Sequence, residues 1–513
     1  MAIFNNNNYI VLLKTLLPRI PMILKTLVLN RLHLSSASAK QDSRTELTVA
    51  IIRSLINYST PLSIGKQQRR SMRDQGIKGP MWVSKVCLPA PEDESEDVKV
   101  AVIEAINALK VSGEEDFEIP QVVPVEAEWT GYRRSISRDV DKGTDSLPDD
   151  MSEEEKYWEL KKDSPANMVI LYFHGGAFFL MDPSTHRVPV SYLSKLTGAP
   201  VLSVRYRLAP QHPFPAALLD ALVAYLSLIA PPPGSLHAPV PPEKIVLAGD
   251  SSGGNLCLSL LQTLLTLRRI NAPTVLFHGK EVSIQLPAGV ATVSPWCDVT
   301  RSLPSVHANA MLDYIPPPHD AYGHRSAAGD HHPPYPPLPM QPDNIWPCSP
   351  PRVDLYSNAS AVAHPLVSPL AARKELWENA PPVFIAMGEE SLSDEGLITA
   401  RKVHQAGGAV AVEQFEGMPH CFALLMLGAP AARRCFRGWA TFCRDAVARQ
   451  VDRIRTGHVS FIKRKLLSTI QIPFDEVHPL RDDEVEMLMQ ENMKRRVEGE
   501  KALRDQWRQR AKL

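Results

Sequence analysis

The chain has 513 residues, of which 44% are hydrophobic, so it is long enough for a large domain with insertions and can bury a large core. Its 56 Lys and Arg residues balance its 56 Asp and Glu residues, and this zero net charge argues against nucleic acid as a main partner. The seven Cys residues include no Cys-x-x-Cys pair, which excludes an obvious disulfide framework and favours a reducing, intracellular compartment.

Residues 1–40 are a basic and apolar N-terminal segment. No Asp or Glu precedes Asp42, and Pro18 and Pro21 interrupt the apolar stretch. No apolar run therefore reaches the roughly 20 residues that cross a bilayer. Three interpretations stay open: an anchor in peripheral membrane contact through residues 9–34, an organelle-targeting segment, or a cap helix of the folded body.

Residues 41–160 are predicted to supply cap helices and the first strands. Apolar residues at helical spacing predict helices over Thr45–Tyr58 and Asp97–Leu109. Short runs rich in strand-forming residues predict strands over Met81–Leu88 and Gln121–Ala127.

In residues 161–450, strands and helices alternate along the chain. This alternation predicts an α/β fold with a mostly parallel central sheet and helices on both faces. In such sheets the chemistry lies outside the carboxyl ends of the strands. The predicted strands are Met168–Phe173, Pro200–Tyr206, Lys244–Ala248, Gly289–Val293, Val383–Met387 and Ala409–Phe415, and the predicted helices are Ala216–Ile229, Leu256–Arg269 and Leu397–Gln405.

A Pro-rich insertion at residues 303–352 interrupts this alternation. Its histidines and aspartates do not have a spacing that places three metal ligands on one element, so a solvated loop or lid is favoured over a metal site. We therefore predict neither a metal nor a cofactor. The residues weighed as ligands are His319, Asp320, His324, Asp330, His331 and His332.

Residues 451–513 are predicted to be a charged, helical C-terminal extension. Four apolar residues at i, i+4 spacing, from Val485 to Val497, form one narrow stripe on an otherwise polar helix, which suits docking to the protein's own body or to a partner helix. The chain ends in Ala511-Lys512-Leu513, a variant of the Ser-Lys-Leu peroxisomal address. Cytosol, membrane surface and peroxisome all stay open as locations.

The sequence Gly249-Asp250-Ser251-Ser252-Gly253 lies between a predicted strand and a predicted helix, which is the context of a G-x-S-x-G nucleophile elbow. Such an elbow holds its serine in a strained backbone conformation, so its neighbours must lack bulk, and Gly249 and Gly253 meet that need. Ser251 is therefore the candidate nucleophile. The N–H of Ser252, at the start of the helix, is a candidate oxyanion donor.

Serine catalysis also needs a base and an acid, which follow the nucleophile along the chain in this kind of fold. His420 follows the sixth strand and is the candidate base. The acid should follow the fifth strand, where residue type alone does not separate four carboxylates. These carboxylates are Glu389, Glu390, Asp394 and Glu395.

The loop His174-Gly175-Gly176, after the first parallel strand, is of the H-G-G type that supplies oxyanion donors. The absence of side chains at both glycines lets the backbone N–H groups turn towards the reacting carbonyl. Gly175, Gly176 and Ser252 are therefore the predicted oxyanion hole.

Taken together, these motifs resemble the hormone-sensitive-lipase-like branch of the α/β-hydrolases over about residues 165–450. The resemblance implies an α/β-hydrolase fold with an N-terminal helical cap. In the family the acid is usually an Asp four residues before Asp-Glu-Gly; that position is Glu390 here, so Glu390 is the implied acid and Asp394 the reserve. The matching motifs are His174-Gly-Gly-Ala-Phe178, Tyr206-Arg-Leu-Ala-Pro210, His212-Pro-Phe-Pro-Ala216, Gly249-Asp-Ser-Ser-Gly-Gly-Asn255, Asp394-Glu-Gly396 and His420-Cys-Phe422.

The resemblance implies a metal-free and cofactor-free serine carboxylic ester hydrolase that acts on a small-molecule ester. Ser294-Pro-Trp296 and the long Pro-rich insertion look most like fungal members of the family, some of which are steryl acetyl hydrolases. A short acyl group on an apolar alcohol, such as a steryl acetate, is therefore the expected substrate. The alternatives are a non-catalytic small-molecule receptor of the gibberellin-receptor type, which lacks the histidine, and an amidase or deformylase with the same catalytic residues. The sequence leaves the oligomeric state open.

Overall fold

A computed structural model of the chain describes most of the residues between 16 and 510. The C-terminal Ala511-Lys512-Leu513 and the histidines and aspartates weighed as ligands in the Pro-rich insertion lie outside the described residues. The described residues are 16–56, 62–77, 79–91, 95–134, 150–318, 335, 338 and 340–510.

A ten-stranded sheet forms the centre of the molecule, with the strand order β1-β2-β4-β3-β5-β8-β9-β10-β11-β12, and β6 and β7 form a separate hairpin. The strands from β4 to β11 in this order run parallel, while β1, β2 and β12 pair antiparallel at the two ends. The strands are β1 (Met81–Leu88), β2 (Val125–Tyr132), β3 (Val169–Phe173), β4 (Val201–Val204), β5 (Ile245–Asp250), β6 (Thr274–Phe277), β7 (Lys280–Ser283), β8 (Gly289–Val293), β9 (Val383–Gly388), β10 (Val410–Phe415), β11 (His458–Ile462) and β12 (Thr469–Pro473).

The central strands are buried on both faces, as parallel strands covered by helices must be. Along β5, Ile245 and Leu247 pack into one hydrophobic cluster, while Val246 and Ala248 pack into the other. This alternation follows from the two-residue period of a strand and places a helical layer on each side of the sheet. The predicted α/β architecture is confirmed.

The helices occupy both faces of the sheet and both ends of the chain. They are α1 (Ile20–Arg31), α2 (Ser43–Ile56), α3 (Ile64–Ser71), α4 (Ser95–Ala108), α5 (Glu153–Asp163), α6 (Pro183–Thr197), α7 (Ala216–Ile229), α8 (Ser252–Arg269), α9 (Ser305–Ala308), α10 (Ser393–Gln405), α11 (Phe422–Leu425), α12 (Pro430–Val447), α13 (Val451–Ile454) and α14 (Asp482–Arg510). No helix within the described residues is both long enough and apolar enough to span a membrane.

Among the differences from the sequence-based expectation, two change the description of the sheet. The second strand begins at Val125 rather than Gln121, because Pro120 and Pro124 cannot contribute N–H groups to a sheet. The C-terminal extension is not purely helical, since β11 and β12 extend the central sheet before α14 begins. On α14, Val485 and Met489 are buried, so this helix docks against the protein's own body.

The helical hairpin of α1 and α2 lies against the loops that follow β8 and β10. The side-chain amide of Gln41 donates to the carbonyls of Leu312 (2.6 Å) and Gly417 (2.8 Å). The guanidinium of Arg53, on α2, donates to the carbonyl of Asp313 at 2.7 Å. The N-terminal helices are thus tied by hydrogen bonds to the loop that carries His420.

Candidate active site

Ser251 occupies a strained turn between β5 and α8. Its backbone lies at φ +52° and ψ −123°, a conformation that costs free energy for any residue with a side chain. The turn is held because the Ser251 N–H donates to the carbonyl of Val293 (3.1 Å), and the Ser251 carbonyl accepts from the N–H of Trp296 (3.0 Å). A Cβ atom at position 253 would lie 2.0 Å from the Phe173 carbonyl oxygen, so Gly253 is needed for this approach. The strand, turn and helix predicted for the elbow are all present.

His420 lies within hydrogen-bond distance of Ser251 and of Glu390. Its Nε2 atom is 2.9 Å from the Ser251 hydroxyl oxygen, and its Nδ1 atom is 2.8 Å from Glu390 Oε1. Glu390 and His420 are both buried, whereas Ser251 is partly exposed. With Nδ1–H donating to the carboxylate, Nε2 is left to accept the serine proton, which is the arrangement that activates a serine nucleophile.

Glu390, the implied acid, and Asp394, its reserve, occupy different positions. The other oxygen of Glu390 accepts hydrogen bonds from the Ser294 hydroxyl (2.7 Å) and the Gly388 N–H (2.9 Å), so the carboxylate is fixed facing His420. Asp394 instead accepts from the Ser305 N–H (2.8 Å) and pairs with His478. The structure thus brings Glu390, and not Asp394, to the imidazole.

Asp313 is a buried carboxylate that the sequence analysis did not single out. Its Oδ1 atom accepts from the backbone N–H of His420 (3.1 Å), and its Oδ2 atom accepts from the backbone N–H of Ser391 (2.9 Å). This one carboxylate therefore joins the loop that carries His420 to the loop that carries Glu390. It comes from the start of the Pro-rich insertion, where no motif or strand end marks it.

The charge around His420 favours its protonated form. Burial disfavours the imidazolium, but the neighbouring carboxylates of Glu390, Asp313 and Asp250 outweigh burial and raise the pKa of His420 above its ordinary value of 6.5. A raised pKa makes the neutral imidazole a stronger acceptor for the proton of the serine hydroxyl.

The structure corrects the predicted oxyanion hole at one position. The N–H of Gly175 donates to Asp250 Oδ1 at 3.1 Å, so this donor is already used inside the protein. The backbone N–H groups of Gly176, Ala177 and Ser252 have no hydrogen-bond acceptor within the described part of the chain. Ala177 lies at φ +53° in the same turn. Residue type could not reveal this, because the acceptor for Gly175 lies 75 residues further along the chain.

A network of buried side chains supports the His174 loop. Asp250 accepts from the hydroxyl of Tyr172 at 2.6 Å and lies 3.3 Å from Nε2 of His186. The hydroxyl of Tyr206 donates to the carbonyl of His174 (2.7 Å), and the two rings stack with their centroids 4.3 Å apart. The motif that begins at Tyr206, which has no evident chemistry of its own, therefore contains a support for the loop.

Comparison with known proteins finds relatives of this chain in sequence and in fold. Residues 170–337 and 349–424 match a family model described as the alpha/beta hydrolase fold. The chain is 29% identical over 279 residues to an acetyl-hydrolase from Streptomyces hygroscopicus, an alignment covering 54% of this chain and 76% of that protein. It is 28% identical over 194 residues to hormone-sensitive lipase from Homo sapiens, covering 36% of this chain and 16% of that protein.

A solved structure gives the same fold independently of close sequence similarity. The crystal structure of EstE5 soaked with p-nitrophenyl butyrate superposes with a TM-score of 0.50 at 22% identity, covering 79% of this chain and 98% of that one. At this identity the likeness concerns the fold.

Proposed function

We propose that this chain, an α/β-hydrolase of the hormone-sensitive-lipase-like type, hydrolyses carboxylic esters with Ser251 as the nucleophile. The observation that supports this most strongly is the continuous hydrogen-bonded chain from Ser251 through His420 to Glu390. It lies where the carboxyl ends of β5, β9 and β10 meet, which is the expected place for chemistry in a parallel sheet.

In the proposed reaction, Ser251 attacks the ester carbonyl while His420 takes the hydroxyl proton. Glu390 keeps the imidazole in the tautomer with a free Nε2 and stabilises the imidazolium that forms. His420 then gives the proton to the leaving alcohol. Water attacks the acyl-enzyme by the same route, which releases the acid and restores the serine.

The negative oxygen of the tetrahedral intermediate needs hydrogen-bond donors. We assign these to the N–H groups of Gly176, Ala177 and Ser252, because Gly175 donates to Asp250 instead. Ser252 is the first residue of α8, where the helix dipole also favours a negative charge. Each such donor contributes roughly 2.7–4 kcal/mol to the stability of the transition state.

The proposed substrate is a short-acyl ester of an apolar alcohol, with a steryl acetate as the leading example. The acetyl-hydrolase name of one relative supports a short acyl group. The proposal that the alcohol is a sterol rests only on the resemblance of the motifs to those of fungal family members. Turnover of p-nitrophenyl acetate, butyrate and decanoate should fall with chain length, and release of acetate from cholesteryl acetate tests the alcohol directly. Equal rates for all three acyl lengths would contradict the short-acyl preference.

A receptor built on this fold and an amidase are the alternative functions. The close contact between His420 and Ser251 favours an enzyme over a receptor that lacks the histidine. Matched ester and amide substrates separate an esterase from an amidase. For an esterase, we expect the ratio of the ester rate to the amide rate to be larger with the enzyme than in the uncatalysed reactions.

The pH dependence follows from the charge around His420. The imidazole must be neutral to accept the serine proton, and its pKa is raised. Activity should therefore fall as the pH drops, with half-maximal kcat/KM at a pH above 6.5 and a slope of one proton. A profile that stays flat down to about pH 5 would contradict a histidine base of raised pKa.

Asp313 is proposed to position His420 rather than to act on the substrate. Asp313→Asn removes a negative charge that raises the pKa of His420, so the acidic limb of the profile should move to lower pH. The rate at the optimum should fall about ten- to a hundredfold, because the amide oxygen of asparagine can replace only one of the two carboxylate oxygens that accept from the backbone N–H groups of His420 and Ser391. The exposed Asp452 gives the control, Asp452→Asn, which should leave both quantities unchanged. A loss of rate without a shift of the acidic limb of the pH profile would indicate that Asp313 has only a structural role.

Peripheral membrane contact through residues 9–34 is a further proposal, since an apolar ester partitions into lipid rather than water. A peroxisomal location through Ala511-Lys512-Leu513 is also a proposal, which import of a fused fluorescent protein with and without this tripeptide would test.

A further inference from the structure

Helix α1 carries large apolar side chains on both its inner and its outer face, yet within the described residues only the inner face is covered. The inner face packs along α2, and the side-chain amide of Asn30 donates to the carbonyl of Gln41, which lies just before α2, at 3.2 Å. The outer face remains in solvent although it carries large apolar side chains. On α1 the exposed fractions are 45% for Ile20, 57% for Leu24 and 54% for Val28, and Leu17, in the turn just before the helix, is 56% exposed. Contiguous exposed apolar side chains of this kind mark a surface that binds a partner or a membrane.

The exposed apolar surface extends beyond α1. Leu32 and Leu34 continue it past the end of the helix. Near the start of α1, Arg19 donates to the Ser54 hydroxyl at 2.7 Å, and the neighbouring Leu55 and Ile56 at the end of α2 are also exposed. We call these eight residues the outer apolar face. They are Leu17, Ile20, Leu24, Val28, Leu32, Leu34, Leu55 and Ile56.

The charged side chains of α1 are all basic. The exposed Lys25 and Arg31 lie on α1 itself, and the sequence holds no acidic residue before Asp42. A second copy of the same face would bring these cations against one another, which disfavours a symmetric dimer. An anionic lipid surface satisfies both features, because it accepts the leucines between its acyl chains and the cations among its headgroups.

The outer apolar face belongs to the hairpin that contacts the catalytic loops. Lys40, in the connection between α1 and α2, pairs with Glu389, the residue before the proposed acid. Gln41 binds the carbonyl of Gly417, three residues before His420. A membrane bound to α1 would thus lie against a hairpin that contacts the loops carrying Glu390 and His420.

We infer that the outer apolar face of α1 and α2 docks onto an anionic membrane surface, with α1 lying in the plane of the interface. The use of this contact to collect a membrane-dissolved ester rests on the proposed function, whereas the docking itself does not. Because α1 has only 12 residues, it would rest on the bilayer rather than cross it.

Flotation of the full-length protein with vesicles tests the docking. One set of vesicles is pure phosphatidylcholine, and the other contains about one third phosphatidylserine. We expect binding to the anionic vesicles, weaker binding to the neutral ones, and weakening of the anionic binding by salt. Leu24→Gln with Val28→Gln should lower binding at least about tenfold. The matched control, Leu466→Gln with Met487→Gln, removes two exposed apolar side chains elsewhere and should bind as the original protein does.

Three results would overturn the inference. The first is no flotation with either vesicle, or equal flotation of the Leu24 and Val28 variant. The second is a lipid-free dimer that this variant dissociates, since the face would then bind a second copy. The third is a lower unfolding temperature of the variant without lipid, since the face would then be covered by the protein itself. Turnover of water-soluble p-nitrophenyl acetate is measured alongside and should be unchanged in the variant. Its absence in the original protein would contradict the proposed function and leave the docking result intact.

Discussion

Replacing Ser251 by alanine is expected to lower kcat for p-nitrophenyl acetate by about 10⁴-fold or more. The alanine side chain has no atom that can bond to the acyl carbon, so the proposed acyl-enzyme cannot form. The remaining oxyanion donors would still stabilise attack by water, which sets a small residual rate. The measurement is the initial rate at saturating ester after subtraction of the uncatalysed hydrolysis.

Two controls separate the loss of the nucleophile from a general effect of serine replacement or of misfolding. Ser235→Ala, in the surface loop between α7 and β5, should keep full activity. The unfolding temperature of Ser251→Ala should stay within about 2 °C of the original, because the change removes one partly exposed hydroxyl. A Ser251→Ala protein that retains more than about a tenth of the rate would rule out Ser251 as the nucleophile.

Replacing Glu390 by glutamine is expected to lower kcat by about 10³- to 10⁴-fold. The amide no longer offsets the positive charge on His420 as the serine proton is transferred. If its NH₂ group faces Nδ1, it also favours the opposite tautomer, which places a hydrogen rather than a lone pair at Nε2. Both oxygens of Glu390 are engaged in the structure, so the substituted side chain has little freedom to turn away.

Asp394→Asn is the matched comparison, because it neutralises the other carboxylate that the motif offers. Asp394 is held by Ser305 and His478, so its loss should change kcat by no more than about threefold. Glu390→Asp should recover part of the rate, limited by the shorter reach to His420. If Asp394→Asn were the inactive protein and Glu390→Gln the active one, the acid would be Asp394.

Much of the fold, and the meeting of Ser251 with His420 at one edge of the sheet, could be predicted from local sequence. The strand before Ser251 and the helix after it are dictated by an apolar run and by leucines at helical spacing, with two small residues at the turn. The position of His420 follows from chain order, because parallel strands bring their carboxyl ends to one edge of the sheet. These are properties of short segments and of the period of a strand.

The remaining features depend on contacts between distant segments. Whether the Gly175 N–H is free depends on where the carboxylate of Asp250 points, which no local pattern encodes. Asp313 contacts the loops that carry His420 and Glu390 only because the insertion folds back between them. The strand His458–Ile462 is short and charged at its borders, so its pairing with β10 outweighs a weak local signal.

The most direct test of the proposed chemistry is to identify the residue that a fluorophosphonate probe labels, by mass spectrometry of the digested protein. We expect a single adduct, on the peptide that contains Ser251, with labelling lost in Ser251→Ala and slowed below pH 6.5, where His420 is protonated. An adduct on another residue, or no adduct on the folded protein, would contradict Ser251 as an activated nucleophile.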